Sequence, residues 1–159
     1  MKTRKGQNDR MAECSIGIRR CLRKDLREVS ALFRKTTAEP PRGTRWSERQ
    51  AMNYLGQLLR MNPDGCYVAI SGNQIAGGFF GHRYEWKDRP MCQIEEIFVG
   101  KGFRRKGIGR NLVKRAVKAC HGKTGVWLYT DKGNPYLSFY KSLGLKLQTH
   151  VVIMGGSIK

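Results

Sequence analysis

Acidic residues are scarce in this chain of 159 residues: 12 Asp and Glu stand against 31 Lys and Arg, a formal net charge of +19 at neutral pH. Such a field attracts polyanions, whether a phosphate-bearing cofactor, RNA, DNA or an anionic surface, and does not choose among them. Histidine is limited to His82, His121 and His150, scattered along the chain. The five cysteines, Cys14, Cys21, Cys66, Cys92 and Cys120, form no C-x-x-C pair. Neither a metal centre nor a disulfide framework is expected, and a reduced, cytoplasmic protein is the economical expectation. Long apolar runs are also missing. Nothing approaches the ~18 residues of a membrane span, and no apolar stretch follows the basic opening "MKTRKGQNDRM", so neither insertion nor secretion is expected.

What is present suits one globular domain. Hydrophobic residues make up 40% of the chain, too many for a disordered one, and its length allows a core without staples. Residues 1–14 are expected to be a basic tail and 15–159 a single domain.

Alternation of Ile16 and Ile18 predicts a first strand over 15–20, and the three- and four-residue spacing of Leu26, Val29, Leu32 and Phe33 predicts a helix opening at Asp25. Pro40 and Pro41 end it. Ser47 with Gln50 forms a capping-box pattern, predicting a second helix to about Met61 with Met52, Leu55 and Leu59 inward. "CYVAIS" and "QIAGGFFGHRYEW", joined by Gly72-Asn73, read as a hairpin, and "CQIEEIFV" (92–99) as a central strand. Strict alternation there would put Ile94, Glu96 and Phe98 on one face and Gln93, Glu95, Ile97 and Val99 on the other. A helix follows from Gly107 to about Cys120, then a strand at 126–130, a short helix within 134–144, and one or two final strands over 145–154. The element order predicts an α/β fold, a mixed sheet with helices on both faces.

"FRRKGIGRNL" (103–112) concentrates cations where the backbone is bare. Gly107 and Gly109 admit a ligand close to the main chain, and the first amides of the helix are unpaired donors. A pyrophosphate would satisfy those donors while Arg104, Arg105, Lys106 and Arg110 neutralise its charge. A solvated helix start has the same letters.

With the strand before it, this segment resembles the GNAT superfamily of acetyl-CoA-dependent N-acetyltransferases. The family's signature, Gln or Arg, two residues, Gly, one residue, then Gly or Ala, is matched by Arg104, Gly107 and Gly109. Its "FY..LG" segment is matched by Phe139, Tyr140, Leu143 and Gly144. The resemblance implies a mostly antiparallel sheet splayed in the middle, with the acetyl-CoA pantetheine between the "CQIEEIFV" and "VWLYT" strands. Main-chain groups of Ile97, Phe98 and Val99 would bond the pantetheine, and the loop Arg104, Arg105, Lys106, Gly107, Ile108, Gly109 and Arg110 the pyrophosphate. Where the family often has an Asn, this chain has Gly133, so Asn134, one place on, is carried over, with Tyr136 where a small residue is usual.

Amide formation needs an acceptor for the amine proton and a donor for the leaving thiolate. Tyr140 is the expected acid and Glu95 or Glu96 the base, Glu95 being favoured. Glu85, Asp88, Glu95 and Glu96 crowd into twelve positions and are expected to form an acidic spot that receives a cationic amine. Walls of the acceptor pocket are expected from 36–46 and 86–90. The acceptor is expected to be a small molecule or a protein amine, the chain a possible homodimer, and the basic surface a possible RNA contact. Two alternatives stand beside this: a basic nucleic-acid-binding module on the same scaffold, and an acetyltransferase acting on an RNA-borne aminoacyl group.

Overall fold

The computed structural model describes residues 15–120 and 122–157. The expected basic tail, 1–14, lies outside them. Five strands form one sheet in chain order: β1 (Ile16–Arg20), β2 (Cys66–Ser71), β3 (Gln74–Trp86), β4 (Arg89–Val99) and β5 (Gly125–Leu128). All neighbours are antiparallel except β4 and β5, which run parallel.

Helices α1 (Leu26–Ala38) and α2 (Glu48–Met61) connect β1 to β2. The Ser47 hydroxyl accepts from the Gln50 amide while the Gln50 side chain accepts from the Ser47 amide, so the capping box starts α2 where the sequence puts it. α3 (Ile108–Lys118) crosses from β4 to β5, and a short α4 (Leu137–Ser142) follows β5.

Alternating side chains divide the core into two layers. Val29, Phe33, Leu55 and Leu59 pack with Cys66, Val68, Phe80 and Phe98 on one face. Ile108, Leu112, Val113 and Ala116 pack with Tyr67, Ala69, Phe79 and Ile94 on the other. Cys21, Cys66 and Cys92 are free thiols buried in these layers, and burial pushes each up to about 12, so they are inert packing groups.

Three expectations are corrected. No strand forms over 145–154; Leu147 and Val151 through Met154 are exposed, and β5 ends the sheet. A short apolar run carries strand propensity, but only pairing decides whether it becomes one. Strict alternation along β4 also fails. Phe80 pairs with Glu96 and Gly81 with Ile94, leaving Glu95 as the extra residue of a β-bulge. Ile94 therefore joins the α3 layer while Phe98 joins the α1/α2 layer, and Ile97 and Val99 fall on the α3 side. Finally, the four clustered acids divide. Glu85 pairs with Pro90 near the tip of the β3–β4 hairpin, six residues from Glu96, or roughly 20 Å at ~3.3 Å per strand residue. Glu85 and Asp88, like the 86–90 turn, lie at the far end, so Glu95 and Glu96 alone of the four stand at the middle of the sheet.

Candidate active site

β4 and β5 pair only from Met91 to Ile94, whereas β4 continues to Val99. Beyond Ile94 the sheet is open. The Gly100 amide bonds to the Ala76 carbonyl at 2.9 Å, which sets the phase of the β3–β4 ladder. By alternation, Phe98 and Glu96 turn their main-chain groups toward β3, and Ile97 and Val99 turn theirs into the opening. The Val99 carbonyl is already taken by Arg104 Nε at 3.0 Å. The Ile97 amide and carbonyl and the Val99 amide remain facing the gap.

At the end of that gap α3 begins. Gly107 is its N-cap with φ 74°, a left-handed conformation natural to glycine, and no side chain caps the helix. Its first amides are therefore unpaired and sit at the positive end of the helix dipole. Gly109 serves a different need: a Cβ there would lie 3.3 Å from the Phe139 ring, so its bareness lets α4 dock on α3. The basic residues of the loop are not equivalent. Arg104 bridges Val99 and, through Nη1 at 2.7 Å, Glu39; Arg110 donates to the Ser142 carbonyl and hydroxyl, tying α3 to α4. Arg105 and Lys106 are exposed, Lys106 Nζ standing 6.0 Å from the Phe103 ring centroid. Asn134 is committed to the turn before α4, its side chain accepting from the Tyr136 amide and donating to Thr130.

The bulge gives β4 two adjacent carboxylates on one face, because Glu95 follows Ile94 by alternation and Glu96 is the residue after the irregularity. Burial, reinforced by the charges of Glu96 and Glu95, holds the hydroxyl of Tyr54 of α2 well above the ordinary phenol range. Glu96 is 6% exposed with both oxygens bonded: Arg42 donates to each at 3.0 Å and the Tyr54 hydroxyl to one at 3.1 Å. Glu95 is less confined. One of its oxygens lies 3.0 Å from His82 Nδ1, and a quarter of the side chain meets solvent. His82 Nε2 is buried without a partner.

Tyr140 comes to this cluster from α4, its ring set edge-on to Phe139 at 5.3 Å. Burial, reinforced by the Glu96 charge, raises its pKa, while Arg42 pulls in the opposite direction. A tyrosine so placed keeps its proton at neutral pH, as a proton donor must.

The structure thus brings Tyr140, Glu95, Glu96, the β4 end and the glycine loop around the sheet opening, the carboxylates from the α1/α2 face and the loop from the α3 face. Arg42, Tyr54 and His82 belong to the same cluster; Arg42 lies in the 36–46 segment expected to wall the acceptor pocket, whereas the contacts of all three with the glutamates are not signalled by the sequence. Their partners are 54, 42 and 13 positions away (96 − 42, 96 − 54 and 95 − 82), and no local pattern signals such a contact.

Comparison with known proteins gives the family and the fold. The model of the Acetyltransferase (GNAT) family matches residues 27–145, and the chain belongs to that family. An uncharacterized N-acetyltransferase of Methanocaldococcus jannaschii, MJ1207, is 28% identical over 137 residues, 81% of this chain and 60% of the relative. The chain thus spans three fifths of the length of that relative. Among solved structures, a possible acetyltransferase from Clostridium difficile 630 superposes with a TM-score of 0.76 at 20% identity, covering 91% of this chain and 99% of that one. The aminoglycoside acetyltransferase meta-AAC0020 from an uncultured soil metagenomic sample, in complex with sisomicin, gives 0.63 at 24% identity over 91% and 97%. Arabidopsis thaliana Naa50, in complex with the bisubstrate analogue CoA-Ac-MVNAL, gives 0.66 at 17% identity over 84% and 85%. These likenesses share the fold; the family match gives the class.

Proposed function

We propose that the chain transfers an acetyl group from acetyl-CoA to a primary amine by direct attack in a ternary complex. The observation that carries this is the alignment, along one opening in the sheet, of unpaired β4 main-chain groups, an uncapped helix start, two carboxylates and a protonated tyrosine. A nucleic-acid-binding module would need neither the opening nor Tyr140 beside it, and family membership disfavours that alternative.

Acetyl-CoA fits the residues present. The Ile97 main chain and the Val99 amide would hold the pantetheine, and the free amides from Gly107 to Arg110, in the field of Arg105 and Lys106, the pyrophosphate. Arg104 and Arg110 shape the loop through their protein contacts, and Asn134 shapes the turn leading to α4. When bound, acetyl-CoA supplies an activated thioester. Glu95 takes the amine proton on its carboxylate, directly or through water, while His82 Nδ1 orients it. Tyr140 Oη gives its proton to the departing sulfur. Glu96, with both oxygens paired to Arg42, is not the base. Holding amine and thioester together contributes the remainder, which for well-oriented pairs reaches about 7–11 kcal/mol. The acceptor is a primary amine of a small molecule or protein, and the free thiols of Cys21, Cys66, Cys92 and Cys120 suit a reducing, cytoplasmic setting.

The test is calorimetric titration of acetyl-CoA into the protein and into a Gly107→Glu, Gly109→Glu variant. Binding in the micromolar range, abolished in a variant that remains folded by circular dichroism, supports the cofactor site; absence of binding to the folded wild type overturns the proposal. An amine screen reading thiol release then finds the acceptor.

A further inference from the structure

The carboxylate of Glu96 is buried, yet the cation that neutralises it belongs to a surface segment. Arg42 lies in the connection between α1 and α2, where residues 40–45 are all exposed, and 47% of its side chain meets solvent. Two main-chain hydrogen bonds hold this segment, Gly43 to the Glu39 carbonyl at 3.1 Å and Thr44 to the Thr37 carbonyl at 2.8 Å. Beneath the guanidinium the surroundings resemble a receptor for a cation. Its carbon lies 5.9 Å from the Phe33 ring centroid, Trp46 stacks on Tyr54 at 5.1 Å and 18°, and both rings lean on Phe33. Trp46 Nε1 is buried without a partner, a donor left over in this aromatic wall.

We propose that Arg42 is a removable internal plug, occupying a pocket built by Glu96, Tyr54, Phe33 and Trp46 whose external ligand is the guanidinium group of the acceptor amine. This rests on the acetyl-transfer proposal and adds the substrate class. Both Glu96 oxygens bind in the fork geometry that matches a planar guanidinium and that an ammonium cannot reproduce. Aromatic faces add cation–π attraction. The pocket also adjoins the chemistry: Arg42 and Tyr140 feel each other's charge, and Glu95 is the next residue along the bulge. An acceptor bearing a guanidinium a few bonds from its amine would seat the first group on Glu96 and present the second near Glu95. Arg42 can swing outward because its segment is open to water and contributes little to the core. Its departure costs a charged hydrogen-bonded pair that the incoming guanidinium re-forms, so the exchange is near balance.

Methylguanidinium chloride is the probe, read by the melting temperature of wild type, Arg42→Ala, and Arg42→Ala with Glu96→Gln. The single variant is expected to melt lower than wild type and to be raised by methylguanidinium at concentrations at least tenfold below those needed for wild type; the double variant is expected not to respond beyond the effect of ammonium chloride at equal ionic strength. Equal responses of wild type and Arg42→Ala, or no response in a folded Arg42→Ala, overturn the plug. Should Arg42→Ala not fold, Arg42→Gln, whose shorter, neutral side chain keeps part of the stem without pairing with Glu96, takes its place with the same expectations. With acetyl-CoA, the KM of an aminoalkylguanidine should fall in the Arg42 variant by at least fivefold more than that of a plain alkylamine of equal length, and equal changes would count against the pocket. The two proposals separate cleanly. Methylguanidinium rescue without acetyl-CoA binding keeps the pocket and removes the enzyme, whereas acetyl-CoA binding without rescue does the reverse.

Discussion

At the scale of single residues, the two adjacent glutamates have opposite circumstances. Glu96 accepts three hydrogen bonds from Arg42 and Tyr54, whereas Glu95 has one partner and access to solvent. Glu95→Gln is therefore expected to lower kcat by about 100-fold with KM little changed, the scale of a lost general base, while Glu96→Gln acts mainly on acceptor KM and stability. Steady-state kinetics on any accepted amine checks the split. Tyr140→Phe should lower kcat by about 10–100-fold without weakening acetyl-CoA binding. The titration of Tyr140 offers a further check. Burial and the negative charge of Glu96 both disfavour tyrosinate, so its pKa is raised; Arg42 favours tyrosinate. Removing the Glu96 charge must then move the Tyr140 titration to lower pH, and removing Arg42 must move it higher. Ultraviolet difference titration against the Tyr140→Phe protein reads both shifts, and an unchanged curve in Glu96→Gln would separate Tyr140 from the cluster.

At the scale of elements, the start of α3 and the bulge of β4 matter most. Nothing lies within 4 Å of a Cβ built on Gly107, so a side chain fits; the cost of substitution is the φ of 74° alone, about 1–2 kcal/mol for an L-residue. Gly107→Val is expected to leave a folded protein, destabilised by about that amount in urea, with acetyl-CoA affinity reduced at least tenfold because the free amides are displaced. Equal affinity would mean the pyrophosphate sits elsewhere. The glycine loop and the capping box of α2 were legible in the sequence because both act over three to six residues. The bulge was not. It exists because β4 must match β3 on one side and the two helix layers on both faces, and Glu95 is the residue left over.

For the molecule as a whole, +19 is a long-range property that any polyanion will feel. RNA is expected to bind weakly and without sequence preference, with affinity falling steeply as salt rises, whereas acetyl-CoA binding, through directed amides, declines more gently. Filter binding of a random RNA and calorimetry of acetyl-CoA, each across salt, compare the two slopes. Equal slopes would mean the cofactor site is little more than a charged patch. The largest structural surprise is also at this scale. The apolar run Val151 to Met154 reads as a strand, yet it is left exposed beyond β5, since a strand requires a partner edge as well as propensity.

What the sequence by itself determined is local: apolar periodicity set the helices and the four antiparallel strands, the Arg104-Gly107-Gly109 spacing set an anion-competent helix start, and Gly144, with φ 89°, ended the last helix. These follow from steric and hydrogen-bonding rules that act within a few residues. Tertiary structure alone decided which carboxylate is free, that Arg42 covers Glu96 across 54 positions, and that Tyr140 stands in the field of both. Charge and burial are properties of neighbours in space, and only the packed sheet with its helices on both faces chooses those neighbours.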